Sequence, residues 1–133
     1  MHSAYLIINF RAILLLLIAV VAGCASLAKS LNYYSDVVVS IEQMLGGDWA
    51  LHAIFALVLG FTAHWATPVD YFYYRRFCAA PLLALILFLV VVDEFMQAFI
   101  PHREFSWLDL SINVVGLLVG GFLYRLYLYR KGI

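Results

Sequence analysis

Between Ile7 and Ala28 the chain carries a single charge, Arg11. As a helix rising 1.5 Å per residue, such a run crosses a hydrocarbon layer of ~30 Å. That choice constrains everything else, because in lipid each backbone N–H and C=O must be satisfied within its own segment. Three further apolar runs follow, at 49–67, 78–100 and 107–127. Together the four predict an all-α membrane protein, a bundle of four transmembrane helices forming one domain over 1–133. Composition agrees. The chain is 66% hydrophobic and 12% charged, with mean hydropathy +0.98, whereas soluble domains carry about 25% charged residues. Net charge is zero, so nothing draws the chain to a nucleic acid. Cys24 and Cys78 sit in different apolar runs and are not read as a pair.

The connections carry their own signals. Residues 29–48 hold Lys29, Asp36, Glu42 and Asp48. A short interfacial helix is expected over Asp36–Met44, with Val37, Val38, Ile41, Met44 and Leu45 on its apolar side. Gly46-Gly47 should end it. Trp49 and Trp65 flank the second run where aromatic belts form, and His64 beside Trp65 reads as an interface residue. Pro81 falls in the first turn of the third run, where a proline costs least, and Pro101 stops that run. The fourth run ends in Tyr124, Tyr127 and Tyr129 with Arg125, Arg130 and Lys131, an aromatic and basic anchor. Val21-Ala22-Gly23-Cys24 reads as a small-residue patch for close packing inside an uncleaved span. Its competitor is a lipobox, with cleavage before a lipidated Cys24.

Lysine and arginine set the orientation. Arg11, Arg75, Arg76, Arg125, Arg130 and Lys131 fall on one side, Lys29 and Arg103 on the other. Both termini should therefore be cytoplasmic, and the 29–48 connection and the 101–106 turn should face outward.

This topology gathers the unusual polar residues at one depth. His52 opens the second run, Asp93, Glu94 and Gln97 close the third, and Asp109 and Asn113 open the fourth. Arg103 lies in the turn between the last two. Ionisable groups at mid-membrane cost ~2.5–3.5 kcal/mol each on an insertion scale, and less toward the interface, so they need partners or chemistry. Residues four apart share a helix face. Asp48 with His52, Asp93 with Gln97, and Asp109, Asn113, Gly116 and Gly120 are so spaced. Gly116-x-x-x-Gly120 would admit a close helix neighbour. Structural readings stand beside functional ones. Arg103 would pair with Asp93 or Glu94 to pin the turn. Asp109 would serve as an N-cap or first-turn acid. Asn113 would bond between helices, and His52 would be a packed bundle residue.

The run Asp93-Glu94-x-x-Gln97-x-x-x-Pro101-x-Arg103, continued by Asp109-x-x-x-Asn113-x-x-Gly116, closely resembles the signature of the VanZ-like family of small bacterial membrane proteins. Asp48-x-x-x-His52 resembles the family's other signature. Trp49 stands where that family usually has Lys, and His102 where it often has Gly. The resemblance spans roughly 48–121. It implies a multi-helix module of the bacterial inner membrane, in a family named for a protein associated with low-level resistance to teicoplanin.

Two classes of function follow. In the first, the cluster binds or transforms an envelope lipid or a lipid-linked cell-wall precursor. His52 would be the general base, oriented by Asp48 or Asp109. Glu94 or Asp93 would be the acid, and Arg103 would clamp a phosphate. Gln97, Asn113 and Asp48 would complete the binding set. A divalent cation held by Asp93, Glu94, Asp109 and His52 is the alternative phosphate binder. In the second, the cluster is scaffold, and the chain forms a homo-oligomer or docks a partner membrane protein. A transporter or channel is a weaker third class.

Overall fold

The computed structural model describes residues 2–74 and 80–133. The regular elements among those residues are all helices: α1 His2–Ser30, α2 Ser35–Leu45, α3 Asp48–Ala66, α4 Val69–Tyr74, α5 Pro81–Gln97 and α6 Trp107–Arg130. Arg75, Arg76 and Cys78, with the start of the third apolar run, lie outside the described residues. Among the described residues, three helices are long and apolar enough to cross a membrane: Phe10–Ser30 of α1, all of α3 and all of α6. The remaining apolar helix, α5, has 17 residues and is about 26 Å long. It stops at Gln97 rather than at residue 100, and tight turns carry the chain through Ala98–His102.

The middle of the bundle is α3, which packs against α1, α2, α5 and α6. Its seam with α6 is the tightest. A Cβ added at Gly60 would strike the Leu117 backbone, one at Gly120 the Leu57 backbone, and one at Gly116 would lie 2.7 Å from Ala56 Cβ. Only hydrogen fits at these positions, so Gly116-x-x-x-Gly120 performs the close packing expected of it, completed by Gly60 on the facing helix. The core runs along this seam and on to α5 through Ala56, Leu59, Ala63, Leu83, Ile86 and Leu117.

Outward faces are apolar. Ile13, Leu16, Leu17, Val20 and Val21 of α1 are exposed, as are Phe88 and Leu89 of α5 and Val115, Leu118 and Phe122 of α6. That is the inverse of a soluble domain and the condition for a lipid solvent. The short α2 follows the same logic. Val37, Ile41, Met44 and Leu45 point away from the protein, and Glu42 is buried against it. Gly46 (φ 98°) and Gly47 (φ 136°) make the left-handed turn into α3 that side-chain-bearing residues rarely adopt.

Two interface expectations and one packing expectation are corrected. His64 is buried, its Nδ1 3.2 Å from Gly60 O and its ring stacked on Phe72 at 5.5 Å. It occupies the space that the missing side chain of Gly121 leaves. Tyr124 is also buried, edge-on to Phe61 at 5.4 Å, so only Tyr127 and Tyr129 of the C-terminal aromatics are exposed. Gly23, expected to admit a close neighbour, has no atom within 4 Å of an added Cβ.

Candidate functional site

On the opposite flank of α3 from the glycine seam, the helices stand apart. A cavity of about 310 Å³ lies between α1, α3 and α5, closed at one end by α2, the α5–α6 turn and the start of α6. Its walls divide by chemistry. Ala19, Ala22, Leu59, Ile86, Leu89 and Val90 form an apolar trough. Ser26, Lys29, Glu42, His52, Asp93, Arg103 and Asn113 form a polar end. The room comes from α1, whose lining residues there are small: Ala19, Ala22, Gly23, Ala25 and Ser26.

The polar end is organised on α1. Arg103 Nη1 donates to Ser26 O at 3.0 Å, to Ser26 Oγ at 3.2 Å and to Ser30 Oγ at 2.8 Å. Ser26 Oγ in turn donates to Asp93 Oδ2 at 2.8 Å, and Gln97 Nε2 donates to the same oxygen at 3.3 Å. Lys29 Nζ and Glu42 Oε1 are 2.7 Å apart, the one ion pair among the described residues. His102 Nε2 lies 2.9 Å from Lys29 O. The α5–α6 turn, α5 and the short α2 are thus all fastened to the last two turns of α1.

Behind the cavity, Glu94 joins α5 to α6. Its Oε1 accepts the Ser106 backbone N–H at 3.1 Å, and Ser106 Oγ accepts the Asp109 N–H at 3.2 Å. Ser106 is the N-cap of α6. In a capping box the third helical residue bonds back to the N-cap N–H; here that residue is Asp109, and Glu94 takes its place from the neighbouring helix. Glu94 is 1% exposed, and Asp109, His52 and Arg103 are near enough to act on its charge.

The eight residues singled out in the sequence therefore divide. His52, Asp93, Arg103 and Asn113 line the cavity. Gln97 reaches it through Asp93. Glu94 and Asp109 form the junction behind it. Asp48 stands apart: it is exposed, and its Oδ1 accepts the N–H of its own neighbour Trp49 at 2.8 Å. Neither Asp48 nor Asp109 bonds to His52, whose ring nitrogens have no hydrogen-bond partner among the described residues. Arg103 is bound to serines rather than ion-paired with Asp93 or Glu94. No group of three or more His, Cys, Asp or Glu side chains among the described residues is arranged to hold a metal ion, so the set Asp93, Glu94, Asp109 and His52 does not form a cation cage.

A family model described as VanZ/LLP1 matches residues 5–128. The chain belongs to the VanZ/LLP1 family. No curated protein and no solved structure matches it. The match begins within α1 and ends within α6, so every wall of the cavity lies inside the VanZ/LLP1 region.

Four residues of the site were not assigned to it from the sequence: Ser26, Lys29 and Ser30 of α1, and Glu42 of α2. A signal for the first three was present. Ala19, Ala22, Ser26, Lys29 and Ser30 recur at helical spacing, so the small-residue face continues directly into a polar one. Glu42 had no such signal, since it lies on a different helix and meets Lys29 only after the α1–α2 turn has formed.

Proposed function

We propose that this protein is a four-span protein of the bacterial inner membrane that takes the headgroup of a phosphate-bearing envelope lipid into the polar end of its cavity. The single observation carrying this reading is the division of one cavity into an apolar trough and a polar end that holds Arg103. A lipid has the same division. Arg103 uses only Nη1 on the scaffold; Nη2 and Nε have no partner among the described residues. Two adjacent guanidinium nitrogens are the fork that grips a phosphate. The trough borders Gly23, Leu89 and Asp93, which are exposed between α1 and α5, so a chain can enter sideways from the bilayer.

Orientation follows from charge. Arg11 donates to Trp65 O at 3.3 Å and lies over the Trp65 ring at 4.9 Å, and Arg125 lies over Phe72 at 5.2 Å. These cations share the end remote from the cavity's polar end, which supports cytoplasmic termini and an outward-facing site. The apolar outer surface of α2 would then rest in the outer interface. α5 would be the remaining span, short by a few ångströms and matched by local thinning or by the turn that follows it.

His52 is the residue for chemistry on the bound headgroup, as a general base. Glu94 and Asp109 position the α5–α6 junction that carries Arg103. Action on an envelope lipid is the route by which such a site would bear on glycopeptide tolerance, teicoplanin included.

Thermal unfolding in detergent, with and without added phospholipid, tests the reading. Wild type and His52→Ala should both be stabilised by the lipid, while Arg103→Ala should gain nothing. An equal gain in Arg103→Ala would refute the assignment of the phosphate site. Melting of His52→Ala well below wild type would instead favour a scaffold role for that residue.

A further inference from the structure

The polar end contains two oppositely charged side chains that share a hydroxyl instead of pairing directly. Lys29 and Glu42 pair at 2.7 Å and leave no net charge between them. Asp93 and Arg103 are different. Both are tied to one hydroxyl, Ser26 Oγ, at 2.8 and 3.2 Å, and they form no ion pair with each other. Each uses one atom on the scaffold. Asp93 Oδ2 accepts from Ser26 and Gln97, leaving Oδ1 without a partner among the described residues. Arg103 Nη1 donates three times, leaving Nη2 and Nε. Ser26 thus separates a carboxylate and a guanidinium, each with a free edge, in the wall of one cavity.

We infer that the headgroup this site takes is zwitterionic: a phosphate carrying a primary ammonium on a short linker, as in an ethanolamine phospholipid. The phosphate meets Arg103 and the ammonium meets Asp93. This rests on the lipid-headgroup reading above and narrows it. A purely anionic headgroup would satisfy Arg103 but bring its charge against Asp93, which is unfavourable to both. An ammonium turns that repulsion into a charge-assisted hydrogen bond. The apolar trough commits the ligand to a lipid rather than to its free headgroup, because the trough would otherwise stay unfilled.

The test is competition binding by native mass spectrometry on the full chain in detergent, with three dioleoyl lipids: phosphatidylethanolamine, its N-acetyl derivative and phosphatidic acid. The expected result is that phosphatidylethanolamine binds roughly tenfold or more above the other two, the scale of one charge-assisted hydrogen bond. N-acetylation removes the ammonium without altering the protein, so this arm does not depend on a variant folding. Asp93→Asn should bring the three lipids to within about threefold, and Asp93→Glu should restore the preference. Soluble phosphoethanolamine should not displace the bound lipid. Equal binding of the ethanolamine lipid and its N-acetyl derivative, or preference for phosphatidic acid, would overturn the zwitterion inference while leaving a lipid site standing. Retention of none of the three would overturn the lipid reading itself.

Discussion

The two flanks of α3 use small residues to opposite ends. On the α6 side, Gly60, Gly116 and Gly120 bring two backbones into contact, and nothing larger than hydrogen fits between them. On the α1 side, Ala19, Ala22, Gly23 and Ala25 face a gap of about 310 Å³. Polar groups differ in the same way. At the packed end His64 stacks on Phe72 and fills the place beside Gly121, and Thr62 and Thr67 bond back to their own helix. At the open end Asp93 and Arg103 are fastened by one atom each and keep free edges. A small-residue patch in a membrane helix therefore does not by itself mean close packing. What the facing helix does decides whether it makes a seam or a cavity.

One substitution made on each flank tests this contrast most sharply. Gly120→Ala drives a methyl into the Leu57 backbone and should cost about 3 kcal/mol, the upper end for overpacking, read as a large fall in Tm in detergent. Gly23→Ala meets nothing within 4 Å and should raise stability by about 0.5–1 kcal/mol through helix propensity. A fall of similar size in both would erase the distinction. Next in size is Ala22→Phe, which fills the trough. It should cut phospholipid binding roughly tenfold, or about 1.4 kcal/mol, with Tm held near that of wild type. Glu42→Gln leaves Lys29 without its partner at a site that is not fully dry. It should cost about 1–2 kcal/mol and loosen α2, visible as faster proteolysis or amide exchange over Ser35–Leu45. Smallest of all is Asp48→Asn, which keeps the bond to the Trp49 N–H and should change stability by less than about 0.5 kcal/mol; a larger loss, or loss of lipid binding, would return Asp48 to the site.

Much of this was legible in the sequence because lipid imposes simple rules. Apolar length placed α1, α3 and α6, Gly46-Gly47 marked the end of α2, and i,i+4 spacing placed Gln97 against Asp93. It also gave the glycine seam. What escaped has a common physical cause: it depends on which helix lies opposite. His64 and Tyr124 read as interface residues because their neighbours Trp65 and Tyr127 carry that signature, yet Gly121 and Phe61 make pockets for them. Arg103 faced two carboxylates by sequence proximity, but the turn carries it to Ser26 and Ser30 of a helix more than seventy residues away. Likewise Val21-Ala22-Gly23-Cys24 of α1 read as a patch for close packing, since small residues look the same whether they line a gap or close one. α4 was missed because six residues are too few to show a periodicity.

The most direct test of the central claim is the lipid-dependent shift in Tm of wild type beside Ala22→Phe, with dioleoyl phosphatidylethanolamine in detergent. If the gap beside α1 is a lipid site, the lipid raises the Tm of wild type clearly more than that of Ala22→Phe. If both rise equally, or neither does, the gap is not where lipid binds.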